Sequence, residues 1–332
     1  MNSKIKKIEY YLPENILTNI QLEKEFAGWS AKKIETKTGI KERHIVKDNE
    51  TAFDLGFEAA KKGLANYDKE KIDFVLFCTQ STEYYLPSSA CILQDKLGLR
   101  TDIGAFDYNL GCSGFIYGLA MAKSFIQSGI ANNILLITSE TYTKHIHAKD
   151  KSNRTIFGDG AAATIIEESE QNGIFDFSLG TNGSGYKNLI VPNGGLRKRY
   201  DYNAQEIDDG SGSIRTANNL YMNGPEIFNF TIDVVPKVVS NVLEKNNTTL
   251  DEIDYVIFHQ ANKYIIEYLR KKIKIAKDKF YINMLHTGNT VSATIPIALR
   301  DCLDDKIIKE DDKILIVGFG VGYSWGGTII EI

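Results

Sequence analysis

The strongest constraint on how this chain folds is an internal duplication. LDEIDYVIFHQANK at 250–263 repeats KEKIDFVLFCTQST at 69–82 almost type for type, with Asp73 and Asp254 lying 181 positions apart. NNILLITSE and DKILIVGFG match at nearly the same offset, 180 positions from Ile134 to Ile314. Each run is apolar and bounded by polar residues, the pattern of a strand covered on both faces. Between them, FDYNLGCSG and a helix in the first half answer FYINMLHTGNT, expected to be a strand, and the helix VSATIPIALRD in the second. The last strand pair, AAATII and GGTIIEI, falls to an offset of 164, so the first half carries extra chain. The polar segment TYTKHIHAKDKSNRT at 141–155 supplies it and is expected to be a surface loop. Strands alternating with helices in two copies predict α/β layers about a pseudo-twofold axis, with halves at 1–170 and 171–332 and ligands gathered beyond the strand ends.

Composition excludes several classes of protein. The 332 residues exceed the usual size of one core, and 43% hydrophobic with 25% charged residues is ordinary for a globular chain. No run approaches the roughly 18 apolar residues of a membrane span, and MNSKIKKIEYYLP lacks the apolar stretch of a secretory signal, so a cytoplasmic protein is expected. Cys78, Cys91, Cys112 and Cys302 lie far apart with no CxxC pair, which predicts free thiols and neither a zinc site nor a disulfide framework. A net charge of −4 offers no general attraction to nucleic acid or membrane.

Chemistry concentrates where the duplicated strands end. FDYNLGCSGFIYGLAMAKSFI places Cys112 in a tight turn before an amphipathic helix whose Phe115, Ile116, Leu119, Ala122, Phe125 and Ile126 share one face, with Gly129 as its stop. Unpaired amides and partial positive charge at a helix start predict a stabilised thiolate with a lowered pKa. Gly111 and Gly114 leave room for a substrate carbonyl. In the second half, His259 follows the buried run YVIF, while His286 and Asn289 occupy the turn before a helix; the duplication lets these junctions face Cys112. GYSWG at 322–326 fits a hydrolase nucleophile elbow, but no histidine follows Ser324. GFGVG lacks a dinucleotide-binding context, and His145 and His147 are expected to face solvent.

Six ordered segments, TKTGIKERHI, LGCSGF, IFGDGAAA, FHQAN, HTGNTVSATIP and GFGVGYSWGG, together resemble the β-ketoacyl-acyl-carrier-protein synthase III family of thiolase-fold condensing enzymes. The resemblance implies a layered αβαβα fold and an acyltransferase that joins an acyl-CoA primer to malonyl-acyl carrier protein through an acyl-cysteine. It implies Cys112 as nucleophile, His259 and Asn289 as hydrogen-bond donors in decarboxylation, and the amides of Cys112 and Val321 as the oxyanion hole. No metal or redox cofactor is implied. Lys37, Thr38 and Asn262 fall at coenzyme A positions and Leu86 at the rim of a partner subunit's acyl pocket in a homodimer. The family's tryptophan position holds Lys33, with Trp29 the nearest tryptophan, and Arg154 lies closer to GDG than the family's arginine. Lys271 and Lys272, in the basic run YLRKKIKIAKDK, match carrier-protein contacts. The long polar segment 179–228 reads as a mark of a specialised branch. A same-fold transferase acting on an alcohol or amine, and a non-catalytic scaffold subunit, are the competing readings.

Overall fold

In the computed structural model, which describes residues 1–208, 210 and 212–332, the duplication becomes two sheets. The first contains β1 (Asn2–Tyr11), β2 (Phe74–Cys78), β3 (Gly104–Tyr108), β4 (Asn133–Glu140) and β5 (Gly160–Ser169), in the order β1-β5-β4-β2-β3. The second contains β6 (Ser178–Thr181), β7 (Tyr255–Phe258), β8 (Lys313–Gly320) and β9 (Ser324–Glu331), in the order β7-β8-β9-β6. Strand β2 runs parallel to β4 as β7 does to β8, and β4–β5 and β8–β9 are both antiparallel. The paired aspartates explain why both units begin alike. Asp73 donates its amide to Asn133 O at 2.9 Å and accepts the Asn133 amide at 3.1 Å; Asp254 does the same with Lys313 at 3.0 and 2.8 Å.

The principal helices are α1 (Ala31–Thr38), α2 (Ala52–Leu64), α3 (Gly114–Gln127), α4 (Gly224–Lys245), α5 (Lys263–Ile273) and α6 (Thr294–Asp304). Phe115, Ile116, Leu119 and Ile126 of α3 and Ile295, Ala298 and Leu299 of α6 share one buried cluster with Leu76, Leu136 and Ile166 of the first sheet and Ile257, Ile314 and Ile316 of the second. Two helices are therefore sandwiched between two sheets. Because strand side chains alternate, Leu135 and Ile137 face outward onto α2, while Leu315 and Val317 face α4 and α5. The result is the expected five-layered αβαβα arrangement.

Two sequence expectations change. FYINMLH forms no strand: its ladder is limited to a bridge between Phe280 and Val256, because the Gln260 side chain accepts the Asn283 amide at 2.7 Å in place of a neighbouring backbone. Segment 141–155 is not a surface decoration either. Thr141, Tyr142, Asp150, Asn153 and Thr155 are buried, and the Thr143 amide and hydroxyl are both held by buried Asp159 of the GDG motif.

Candidate active site

Cys112 lies in the turn between β3 and α3, one residue before the N-cap position Ser113. The Gly114 amide closes that turn onto Gly111 O at 2.7 Å. The turn rests on β8, where side chains have been removed to admit it: a Cβ added at Gly320 would stand 2.8 Å from Cys112 Sγ, and one at Gly318 would stand 2.7 Å from Cys112 O. The backbone amides of Cys112 and Val321 both face the sulfur. That is the donor pair an oxyanion hole needs.

The protonation state differs from the expectation. Burial pushes the Cys112 thiol up to about 12, the nearby Glu140 carboxylate adds to the rise, and the two amides only partly oppose it. Desolvation of the charged form outweighs the helix start because Cys112 is 6% exposed and precedes the helix rather than opening it.

His259 continues the line of β7, its amide donating to Val317 O of β8 at 2.8 Å. Its ring packs edge-on against Phe319 at 5.7 Å, and Nδ1 lies 2.7 Å from Thr294 Oγ1 at the start of α6. Burial lowers its pKa to about 3, so the imidazole is neutral. Asn289 is zipped to the GDG segment of the other half: its amide donates to Ile156 O at 2.9 Å and its carbonyl accepts from Gly158 at 3.0 Å. The Val291 amide donates to Asn289 Oδ1 at 2.9 Å, which fixes Nδ2 as the free donor end, held by only a long 3.4 Å contact to Ala261 O. Buried Arg43 of TKTGIKERHI pegs these loops by donating to Leu17 O and Thr155 O at 3.0 and 2.9 Å.

Strand β8 thus carries the Cys112 turn on Gly318 and Gly320 and the His259 junction on Val317 and Phe319. Val291, two residues from Asn289, shares a buried cluster with Cys112, Phe157, Tyr142, Leu189 and Leu220. Residues from both halves meet on one strand. A cavity of about 800 Å³, lined by Val321, Gln80, Tyr142, His145, Leu189 and Leu220 among others, opens from this cluster. Tyr142 donates to Gln80 Oε1, and Gln80 Nε2 donates to Asn109 Oδ1 at 2.9 Å, giving one wall a polar network.

The remaining sequence candidates divide. Trp29 is ringed by ammonium groups, with Lys37, Lys33 and Lys151 at 5.2, 5.7 and 5.9 Å from its ring. Arg154 is taken by Glu25. Thr38 is engaged within its own helix end. It is buried, donates to Ile34 O at 2.8 Å and accepts from Ile40 at 3.1 Å, closing α1 and leaving no free hydroxyl proton for a ligand. Asn262 caps α5 through the Ile265 amide at 2.9 Å. Leu86 is 83% exposed. Lys271 and Lys272 are exposed on α5, but Lys272 Nζ donates to Ile232 O of α4 at 2.7 Å. His145 and His147 are half-buried rather than solvent-facing, and His147 lies 3.7 Å from Glu206. His286 is exposed and pairs with Glu42 at 2.8 Å, so only His259 of the second-half histidines enters the site. Ser324 is buried in β9, bonded to Ser113 Oγ at 2.6 Å and Val321 O at 2.9 Å, which disposes of the hydrolase elbow. Thr294, Tyr142 and Gln80 were not among the sequence candidates; the one signal for Thr294, the first residue of α6, was its place in HTGNTVSATIP.

Profiles described as 3-oxoacyl-[acyl-carrier-protein] synthase III and its C-terminal part match residues 106–183 and 243–332. The chain is 40% identical over 324 residues to a β-ketoacyl-[acyl-carrier-protein] synthase III of Caldanaerobacter subterraneus subsp. tengcongensis, covering 97% of this chain and 95% of the relative. The chain belongs to the β-ketoacyl-[acyl-carrier-protein] synthase III family. A relative of the same name from Fusobacterium nucleatum is 39% identical, with 98% of each chain covered. A crystal structure of a 3-oxoacyl-(acyl-carrier-protein) synthase III superposes with a TM-score of 0.98 at 43% identity, covering 100% of both chains. The chain is therefore a condensing enzyme of the acyltransferase class with the thiolase fold. Both matches run end to end, through segment 179–228. No helix among the described residues is long and apolar enough to cross a membrane.

Proposed function

We propose that Cys112, His259 and Asn289 carry the reaction of this synthase, the decarboxylative condensation of an acyl-CoA primer with malonyl-acyl carrier protein. The observation that supports this most is the meeting of the Cys112 turn and the His259 junction on β8, with the amides of Cys112 and Val321 aimed at the sulfur. The Cys112 sulfur attacks the primer thioester, the two amides hold the oxyanion, and coenzyme A leaves with the thiol proton. The malonyl thioester then loses CO2. Asn289 Nδ2 and His259 Nε2 donate to the enolate oxygen, and the enolate carbon attacks acyl-Cys112, breaking its C–S bond to release the β-ketoacyl product and a Cys112 thiolate that takes up a proton from solvent. Neither a metal nor an organic cofactor takes part in this scheme.

The lysine-ringed Trp29 supports an adenine and phosphate contact for coenzyme A, since an indole face stacks bases and ammonium groups neutralise phosphate. Lys271 supports a dock for the acidic carrier protein. Exposed Tyr84, Tyr85 and Leu86 support a homodimer in which this loop covers the acyl cavity of the other subunit. A cytoplasmic location fits these soluble substrates.

Intact-protein mass after incubation with acyl-CoA tests the assignment. Wild-type protein gains one acyl group and Cys112→Ser none. His259→Ala and Asn289→Ala still acylate but lose CO2 release by about 100- to 1,000-fold, the scale of a lost oxyanion donor. Acylation of Cys112→Ser, or unimpaired CO2 release in both other variants, overturns it.

A further inference from the structure

His259 can donate to an enolate oxygen only if its proton sits on Nε2, and the sequence says nothing about which nitrogen carries it. A neutral imidazole has one N–H, and the hydrogen bond made at the other nitrogen selects the tautomer. Among the described residues Nε2 has no hydrogen-bond partner, whereas Nδ1 faces Thr294 Oγ1 at 2.7 Å. The Thr294 hydroxyl is shared. Val291 O lies 3.0 Å away and can only accept, and the Gln260 amide donates to the same oxygen at 3.4 Å. One hydroxyl proton therefore has two competing acceptors. Directed at Val291 O, it obliges Nδ1 to donate and leaves Nε2 as a bare lone pair. Directed at Nδ1, it leaves the proton on Nε2. His259, Gln260, Val291 and Thr294 are all buried, which shields both bonds from bulk solvent.

Val291 is what creates the competition. It is a buried β-branched residue at φ 57°, a conformation such side chains rarely adopt. That backbone turns its amide onto Asn289 Oδ1 at 2.9 Å and its carbonyl onto Thr294. One residue thus orients both proposed donors.

We propose that Thr294 is a positioning residue whose hydroxyl rotor sets the tautomer of His259, holding the proton on Nε2 for decarboxylation by donating to Nδ1. The inference rests on the reading of His259 as an enolate donor. Thr294 touches neither substrate nor sulfur in this role; it acts through the imidazole.

Thr294→Val keeps the shape and removes the hydroxyl, and Thr294→Ser restores it. Each is compared with wild type in three measurements: acylation of Cys112 by mass, CO2 release from malonyl-acyl carrier protein, and 15N shifts of the labelled His259 ring in the acyl-enzyme. The expected result is normal acylation in all three proteins, a fall of about 10- to 100-fold in kcat for CO2 release with unchanged KM in Thr294→Val, and recovery to within about threefold in Thr294→Ser. The ring shifts move from Nε2–H in wild type and Thr294→Ser toward a mixture in Thr294→Val. CO2 release within twofold of wild type in Thr294→Val, unaltered ring shifts, or an equal loss of acylation and CO2 release overturns the proposal, the last because it marks a merely structural role. A wild-type protein that acylates but releases no CO2 overturns instead the reading of the reaction on which the proposal stands.

Discussion

Burial acts on Cys112 and His259 in the same sense, toward the neutral form, and this sets how each half-reaction responds to pH. With the thiol pushed up to about 12, only the thiolate fraction reacts, and it grows about tenfold per pH unit below that value. Alkylation of Cys112 in the acyl-free enzyme by iodoacetamide should therefore climb about tenfold per unit from pH 6 to 9; a plateau near pH 7 would show that the amides of Cys112 and Val321 prevail over desolvation. His259, lowered to about 3, gains no proton across that range. CO2 release by the acyl-enzyme should be flat between pH 5 and 8, and a fall with a midpoint near 6.5 would mark a solvated imidazole. Both residues stood out as candidates in sequence because each sits at a junction of the repeat. Their protonation was not, because it depends on side chains such as Glu140 and Phe319 that arrive from distant parts of the chain.

At the scale of elements, the two lysines expected by motif position at a carrier dock differ in that Lys272 is bonded to α4. Pro236 lies inside α4 and has no N–H, so Ile232 O, four residues earlier, loses its helical partner. Lys272 Nζ donates to that oxygen at 2.7 Å, pinning α5 to α4. Lys272→Met should lower stability by about 1 kcal/mol or less, since the bond is exposed, and leave KM for malonyl-acyl carrier protein unchanged. Lys271→Glu should do the reverse, raising that KM severalfold with no change in denaturation midpoint. Equal effects of the two substitutions on KM would return Lys272 to the docking surface. Periodicity exposed α3 and the buried runs of β2, β4, β7 and β8 because covered strands and amphipathic helices write their environment into their sequence. It failed for FYINMLH, where Gln260 takes over the bonding a strand would need, and for segment 141–155, whose polar residues are satisfied inside by Asp159 and its neighbours.

At the scale of the molecule, the duplicated sheets are closed differently at their ends. The first sheet ends at β3, which pairs with β2 on one side and with no strand on the other among the described residues. An edge of this kind is a ready template for a second copy of the same chain, and a twofold axis would let two β3 strands pair with each other. The Tyr84–Leu86 loop, with Leu86 83% exposed, belongs to the same half and adds apolar surface that a lone subunit leaves in water. Gly104 directs its amide to Asp73 O on the β2 side, so by strand alternation the Ala105 amide points to the open edge. Ala105→Pro then removes an outward donor while leaving the bonds to β2 in place. Light scattering should find wild-type protein at twice the 37.2 kDa chain mass and Ala105→Pro shifted to one chain mass, with the far-ultraviolet circular dichroism of the wild type retained. The separated subunit should still bind coenzyme A at the Trp29 platform, which draws its residues from one chain, but should lose its discrimination among primer lengths if Leu86 closes the neighbouring cavity. A wild-type mass of 37.2 kDa at micromolar concentration would show that β3 is an unpartnered edge and that a single chain completes the acyl site alone.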